Sequence, residues 1–354
     1  MKAIVLAAGE GTRLYPLSLE NSKVLIPILG KPFIQYVIEE LQKVFDKNDI
    51  ILVINKKIEK DIRNLGVKYI VQKIFYGTAA SVYTAKILAR DEDVFIINGD
   101  NFVPADEIKK LLKYENAIAA IEVEDPRKYG IFVLDKDDNL IKIIEKPENP
   151  PSNLANAGVY KFSSYIWYYV DKLISAELVS ERGEFEITDA INMMARDFKI
   201  KVVKIREWLH LSKPKDIFNI SKYFLEKKYE ELKRKYKEYG YSYQKGFFVD
   251  NESDIRNVSL KGKGIIEKST IYNTILKGNI FLSKTEVYLS YIENSYICCS
   301  SIEQANLKNC ALLKNVNVKA FSMIHESILK NTQIQENNKI KRKAIEGEKV
   351  FPLQ

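Results

Sequence analysis

The sequence predicts an open α/β sheet followed by a parallel β-helix. Three observations carry this. Up to about residue 205, short apolar runs alternate with amphipathic stretches. Several of those runs are apolar at every position, as strands buried on both faces must be. Beyond Gly246 the helical period disappears, and aliphatic residues return every five or six positions.

The strands expected in order are Ala3–Leu6, Ile50–Ile54, Tyr69–Val71, Val94–Ile97, Ala117–Val123, Gly130–Leu134, Ile141–Ile144, Gly158–Phe162 and Lys201–Ile205. Helical patterns at Phe33–Lys43, Ile58–Leu65, Ala79–Ala89 and Ala105–Leu112 fall between the early ones. From Pro214, Asp216 is placed to cap a long amphipathic helix that runs to about Tyr239 and stops at Gly240. In the last third, Ile292, Ile297, Ile302, Leu307 and Leu312 are spaced by fives, and Val258, Ile265, Ile271, Ile280 and Val287 approximate that rhythm. A side chain turned inward at each corner of a coil gives such a period.

Composition removes several classes of function. The chain has 354 residues, 46% hydrophobic and 29% charged, enough to bury a core in each of two domains. No apolar run approaches the ~20 residues that span a bilayer, and Met1–Leu6 lacks the flanks of a secretory signal. A cytoplasmic protein without membrane association is expected. Cys298, Cys299 and Cys310 form no C-x-x-C pair, and two histidines, His210 and His325, exclude a multi-histidine metal site. The net charge of +8 gathers at Lys227–Lys237 and Lys339–Lys343. The first stretch alternates with glutamates at helical spacing and reads as a solvated face, so no nucleic-acid partner is expected.

The chemistry-bearing residues begin after the first strand. Leu6-Ala7-Ala8-Gly9-Glu10-Gly11-Thr12-Arg13-Leu14 puts two glycines around one residue, which lets backbone amides approach a phosphate. A dinucleotide fingerprint is excluded because Leu14 stands where the third glycine belongs, and a P-loop is excluded because Pro32 follows Gly30-Lys31. Arg13 and Lys23 are cations suited to a polyphosphate. Asp100 follows four apolar residues at a strand's C-terminal end, the edge where open α/β sheets bind ligands. Gln72 offers one donor and one acceptor, which suits the imide edge of thymine or uracil.

Together with Lys23–Pro32, this segment resembles the signature of sugar-1-phosphate nucleotidylyltransferases. Further matches follow in the family's order: Gln72 with Gly77-Thr78-Ala79, Gly99-Asp100-Asn101, Lys128-Tyr129-Gly130, Glu145-Lys146-Pro147, Asn156-Ala157-Gly158-Val159-Tyr160 and Gly183-Glu184-Phe185-Glu186-Ile187-Thr188-Asp189-Ala190. The long form of glucose-1-phosphate thymidylyltransferase fits best in length and in Pro150–Ala155.

The resemblance implies a Rossmann-like, glycosyltransferase-A-like mixed sheet and a left-handed hand for the C-terminal β-helix. It divides the chain into a catalytic domain at 1–225, a linker helix and connection at 226–246, the β-helix at 247–340 and a basic tail at 341–354. Nucleotide binding falls to Leu6, Ala8, Gly9, Gly11, Thr12, Arg13, Lys23, Gln72, Gly77, Thr78 and Asp100. The sugar phosphate falls to Gly130, Glu145, Lys146, Asn156, Gly158 and Glu184. In the implied reaction a sugar-phosphate oxygen attacks the α-phosphorus of a nucleoside triphosphate and expels pyrophosphate. The nucleophile is already an anion, so positioning and charge do the catalysis. Arg13 goes to the leaving pyrophosphate, Lys23 to the triphosphate, Lys146 to the sugar phosphate and Asp100 to Mg²⁺. A homo-oligomer held through the β-helix is also implied.

Departures from the pattern sharpen the expectation. Where the family carries Trp-x-Asp-x-Gly, this chain reads Trp208-Leu209-His210-Leu211-Ser212, so His210 stands at the second metal carboxylate. Imidazole suits Mn²⁺ or Co²⁺ better than Mg²⁺. A weakened regulatory subunit that binds nucleotide sugars is the competing class, and acyl transfer by the β-helix with His325 as base is a third. Gly77-Thr78-Ala79 and Asn156-Ala157-Gly158 resemble uridylyltransferases, whereas the long-form architecture favours dTTP over UTP and glucose 1-phosphate as the sugar.

Overall fold

In the computed structural model the chain divides into two compact units. Met1–Glu10 and Ile34–His210 form one, and Gly11–Phe33 and Leu211–Gln354 form the other. The structure describes residues 1–256 apart from 16, 19–21, 74, 75, 181 and 182, and beyond 256 the strands named below with residues 258, 262, 263, 267, 269 and 327. Ile280 and the three cysteines of the sequence reading lie outside the described residues.

The first unit is built on a nine-stranded mixed sheet. Its strands are β1 (Lys2–Ala7), β2 (Ile50–Ile54), β3 (Lys68–Val71), β4 (Val94–Asn98), β5 (Ala117–Glu122), β6 (Gly130–Leu134), β7 (Leu140–Glu145), β8 (Leu154–Phe162) and β9 (Lys201–Lys204). Their order is β7-β6-β8-β4-β1-β2-β3, with β5 on β8 and β9 on β5. β1 lies parallel between β4 and β2, and β8 runs antiparallel to β4, β5 and β6. Every residue of β2 is buried, as are Val94–Ile97 of β4. Helices on both faces, not solvent, therefore meet these strands, which is why their sequences show no alternation.

The helices are α1 (Phe33–Leu41), α2 (Thr78–Ala89), α3 (Ala105–Leu111), α4 (Ile166–Ser175) and α5 (Ile187–Met194). The periodicity at Ile58–Leu65 gives only Glu59–Ile62 as α-helix, bracketed by 3-10 turns at Lys56–Ile58 and Arg63–Leu65. The segment is too short to propagate, and Gly66 at φ +65° ends it. α4 and α5, which the strand-led reading passed over, pack with α2 against Phe162, Trp167 and Ile191 in one core. The strand expected from Gly158 begins four residues earlier, at Leu154, and bulges between Asn156 and Tyr160.

In the second unit, α6 (Pro214–Lys235) is capped differently from the expectation. Lys213 is the N-cap, and Asp216 sits at the third helical position, where its carboxylate accepts from Ser212 N and Lys213 N at 2.8 Å each. The helix ends at Lys235, and turns carry the chain to Gly240 at φ +74°. A small sheet follows, with Tyr241–Gln244 antiparallel to Phe247–Asp250 and the latter parallel to Gly264–Ile266.

Three ladders of very short strands come next. One runs Asp254–Arg256, Thr270–Tyr272, Glu286–Val287, Ser301–Ile302, Asn317–Val318 and Gln333–Ile334. A second runs Ser259–Lys261, Ile275–Lys277, Tyr291–Glu293, Asn306–Lys308, Met323–His325 and Lys339–Lys341. The third holds Tyr296–Ile297, Ala311–Leu312, Ile328–Lys330, Lys343–Glu346 and Lys349–Pro352. Pairing is parallel throughout except for the last two strands. Asp254 pairs with Thr270 and Thr270 with Glu286, a step of sixteen residues. Three aliphatic corners per step reproduce the five-to-six rhythm of the sequence. The basic stretch from Lys339 is built into these ladders, where its backbone continues the pairing of Met323–His325 and Ile328–Lys330.

Candidate active site

Most of the expected site residues belong to the first unit, and several of them meet at the C-terminal end of β4. Gly99 N donates to Leu6 O at 2.8 Å, so the turn after β4 is tied to the end of β1. A β carbon at Gly99 would stand 3.0 Å from that same oxygen, which explains the smallest residue there. Asn55 Nδ2 donates to Ala8 O at 3.1 Å and fixes the chain beyond β1. Asp100 and Asn101 are then buried at 8% and 3% exposure. Asn101–Phe102 pairs antiparallel with Leu209–His210, with His210 directly opposite Asn101. This short ladder brings His210 Nε2 to 3.5 Å from Asp100 Oδ2.

Gly158 makes that arrangement possible. Its φ is +69°, and a β carbon on it would lie 2.5 Å from Asn98 Nδ2 and 2.6 Å from Asn101 Nδ2. The β8 bulge therefore accommodates two asparagine amides where a side chain would stand. Asn101 Nδ2 donates to Ala157 O at 2.7 Å, and Trp208 Nε1 donates to the same oxygen at 3.1 Å. Asn98 Oδ1 and Asn101 Oδ1 are buried with no hydrogen-bond partner among the described residues, so this edge carries unspent acceptor capacity beside Asp100.

Gly130 opens β6 directly opposite Glu145, the last residue of β7, and a β carbon on it would lie 2.9 Å from Glu145 Oε1. Ile131 faces Ala155 of β8, which places this corner next to Asn156. Lys146 is exposed at φ +43°, an uncommon conformation for a side-chain-bearing residue. Its N–H donates to Tyr129 O at 3.0 Å. The Tyr129 ring lies 5.9 Å from Trp208 and 6.3 Å from His210, and Trp208 lies 5.1 Å from His210. An aromatic wall thus joins the Lys146 corner to the Asp100 corner.

Tyr160 is buried on β8. Burial pushes its phenol well above the usual range, the hydrogen bond from Asn156 Nδ2 at 3.0 Å opposes this, and the charges of Glu145 and Glu186 raise it further. The charges of two carboxylates, Glu145 and Glu186, therefore bear on one buried phenol. Glu186 was not among the site residues expected from sequence. Its signal was its place in the Glu184–Asp189 motif, where Glu184 was chosen instead; Glu184 is half-buried and its backbone O accepts from Ser180 N at 2.9 Å.

Gln72 and Gly77-Thr78 stand at the start of α2. Ser81 Oγ donates to Gln72 Oε1 at 2.6 Å and fixes the amide's orientation. The Thr78 hydroxyl donates to Glu186 Oε2 at 3.1 Å and accepts from Ile187 N at 2.8 Å. Gly11, Thr12, Arg13 and Lys23 belong to the other unit. There Gly11 takes φ +70° and packs on the Lys23 side chain, to whose Cβ an added β carbon would stand 2.6 Å away. Thr12 and Arg13 are exposed on the 3-10 turn Thr12–Leu14, and Ser18 Oγ donates to Gly11 O at 2.8 Å.

Among the described residues, no cluster of three or more His, Cys, Asp or Glu forms a metal cage. Asp100 and His210, with side chains 12% and 23% exposed, supply two donors that reach one point. That number fits a divalent cation whose remaining ligands are substrate oxygens.

Comparison with known proteins follows the same outline. A family model for nucleotidyl transferases matches residues 2–227. A bifunctional sugar-1-phosphate nucleotidylyltransferase/acetyltransferase of Sulfurisphaera tokodaii is 39% identical over 276 residues, 76% of this chain and 62% of that protein. The bifunctional protein GlmU of Methanocaldococcus jannaschii is 39% identical over 345 residues, 93% of this chain and 77% of its own length. A solved Bacillus anthracis structure, described as a glucose-1-phosphate thymidylyltransferase, superposes with a TM-score of 0.55 at 25% identity, covering 62% of this chain and 94% of that one.

Proposed function

We propose, from the premise that the chain belongs to the nucleotidyl transferase family, that it joins a sugar 1-phosphate to a pyrimidine nucleoside triphosphate with release of pyrophosphate. The observation that carries this reading is the aromatic wall of Tyr129, Trp208 and His210, which joins Asp100 to the Glu145–Lys146 corner. One side suits a metal-bound phosphate and the other a sugar phosphate. Lys146 holds the sugar phosphate in line, Glu145 and Asn156 receive the sugar hydroxyls, and Gln72 with Gly77-Thr78 receives the base. Leu6, Ala8 and Gly9 line the nucleotide side by their backbone. Arg13 acts on the leaving pyrophosphate and Lys23 on the triphosphate, roles that rest on the family resemblance.

Asp100 and His210 are the residues that would hold a divalent ion, which when bound neutralises phosphate charge. The nitrogen donor favours Mn²⁺ or Co²⁺ over Mg²⁺.

Two motifs support UTP ahead of dTTP. Gly77-Thr78-Ala79 and Asn156-Ala157-Gly158 both resemble uridylyltransferases, and two proteins at 39% identity are bifunctional types, against 25% for the thymidylyltransferase structure. This reverses the preference drawn from overall length. The three ladders support a left-handed β-helix in residues 247–340, and the family resemblance supports a homo-oligomer, which light scattering on the full chain would report as more than one protomer. The functional test is pyrophosphate release with UTP, dTTP, GTP, CTP and ATP, each paired with glucose 1-phosphate and N-acetylglucosamine 1-phosphate. Turnover confined to UTP or dTTP is expected. Release with no pair, under Mg²⁺, Mn²⁺ and Co²⁺ alike, would overturn the assignment.

A further inference from the structure

The loop at 76–79 and the segment at 185–187, more than a hundred residues apart in sequence, are stitched together by four hydrogen bonds. Phe185 N donates to Tyr76 O at 2.9 Å and Ala79 N to Phe185 O at 2.8 Å. Gly77, at φ +107°, permits this approach, since a β carbon on it would stand 2.4 Å from Phe185 O. The other two bonds use one hydroxyl: Thr78 Oγ1 accepts from Ile187 N at 2.8 Å and donates to Glu186 Oε2 at 3.1 Å. Both directions of the hydroxyl are thereby engaged within the protein.

The connection continues through α5. Asn192 Oδ1 accepts from Ile143 N at 2.7 Å, and Asn192 Nδ2 donates to Ile143 O at 3.0 Å. Ile143 lies two residues before Glu145 on β7. α5 is thus bonded through its first residue to the nucleotide-side loop and through Asn192 to the strand that carries Glu145 and Lys146. The carboxylate that Thr78 holds, Glu186, bears with Glu145 on the Tyr160 phenol.

We propose that Thr78 is a positioning residue that couples the two substrate pockets: by holding Glu186 and the first turn of α5, it makes occupation of the nucleotide-side loop raise affinity for the sugar 1-phosphate. The inference rests on the assignment of 72–79 to the nucleotide. A ligand that draws Gly77-Thr78 toward itself also moves Glu186 and α5, because the linking bonds are direct. Coupling of this kind is a free energy shared by both sites, so the sugar phosphate raises nucleotide affinity by the same factor.

Hydrogen exchange on the full chain with saturating UTP or dTTP, and no sugar phosphate, tests it. In the unsubstituted chain, slower exchange is expected at 76–81 and also at 184–190. In Thr78→Val, protection at 76–81 remains while that at 184–190 is lost, and Thr78→Ser restores it. In turnover, Thr78→Val should raise KM for the sugar phosphate at saturating nucleotide by about tenfold, within the usual range of coupling factors, and Thr78→Ser should return it to the parent value. Should Thr78→Val fail to fold, Glu186→Ala, which removes the acceptor of the Thr78 hydroxyl, is scored by the same loss of protection at 184–190. Protection of 76–81 with 184–190 unaffected in the unsubstituted chain would overturn the coupling alone. Absence of nucleotide protection at 76–81 would overturn the nucleotide assignment of that loop and the coupling with it.

Discussion

Two corners of one sheet, the end of β4 at Asp100 and the end of β7 at Lys146, are built in opposite ways. Asp100 is buried, its turn is hydrogen-bonded to β1, and its neighbour Asn101 is tied to both β8 and the Leu209–His210 strand. Lys146 is exposed, at a positive φ, and its backbone N–H donates to Tyr129 O. In the role proposed for Asp100, a carboxylate that fixes a cation gains from being preorganised in a poorly hydrated turn, because reorientation then costs little on binding. In the role proposed for Lys146, a lysine that meets a mobile phosphate acts as a point charge on a flexible stem, and rigidity adds less. The difference separates substitutions that damage chemistry from those that damage the fold.

The largest effect on turnover is expected from Lys146→Ala. It should lower kcat by at least ~10², the scale of lost positioning, while Tm stays unchanged because the side chain touches no core. A fall in Tm of several degrees would show that the Lys146 corner is structural after all.

Gly158→Ala should have the reverse profile. The added carbon meets two amides at about 2.5 Å, and φ +69° is strained for alanine. Destabilisation of about 2–4 kcal/mol is expected, read as a lower denaturation midpoint. A midpoint within error of the parent would mean that the Asn98 and Asn101 side chains move aside cheaply, and the β4 corner would not be rigid.

His210→Asp sharpens the comparison at the metal. It should strengthen Mg²⁺ binding, measured by calorimetry with nucleotide present, and raise activity with Mg²⁺ relative to Mn²⁺ or Co²⁺. Identical metal affinities in the two proteins would remove His210 from the metal.

The smallest effect concerns Asp189 on α5. Burial raises its pKa above the ordinary 3.8. An acid raised in the folded state is destabilising once ionised, so its cost is absent below pH 3.8, grows as pH rises from 3.8 to the folded value, and is constant above that. Asp189→Asn should therefore raise Tm at neutral pH, with the gain disappearing as pH falls toward 3.8. A gain that persists unchanged in acid would assign the effect to something other than charge.

Sequence alone determined the strands of the sheet to within a few residues, because their all-apolar runs have one solution, burial on both faces. It also singled out Asp100, Lys146 and Gln72 as candidates, since each follows a recognisable strand and belongs to a motif in a fixed order. The fifteen-to-seventeen-residue step of the ladders was legible as a third of itself, in aliphatics five or six apart. Tertiary structure alone decided the rest. That Glu186, more than Glu184, bears on Tyr160 depends on how Thr78 binds it across 108 residues, and no local pattern encodes such a bond. The bulge at Gly158 looked like the start of a strand because apolar periodicity registers side chains, whereas the bulge answers to two asparagine amides from another strand's end. Local sequence fixes which backbone conformations are cheap; which side chains meet is set by strand order, and strand order exists only once the sheet has formed.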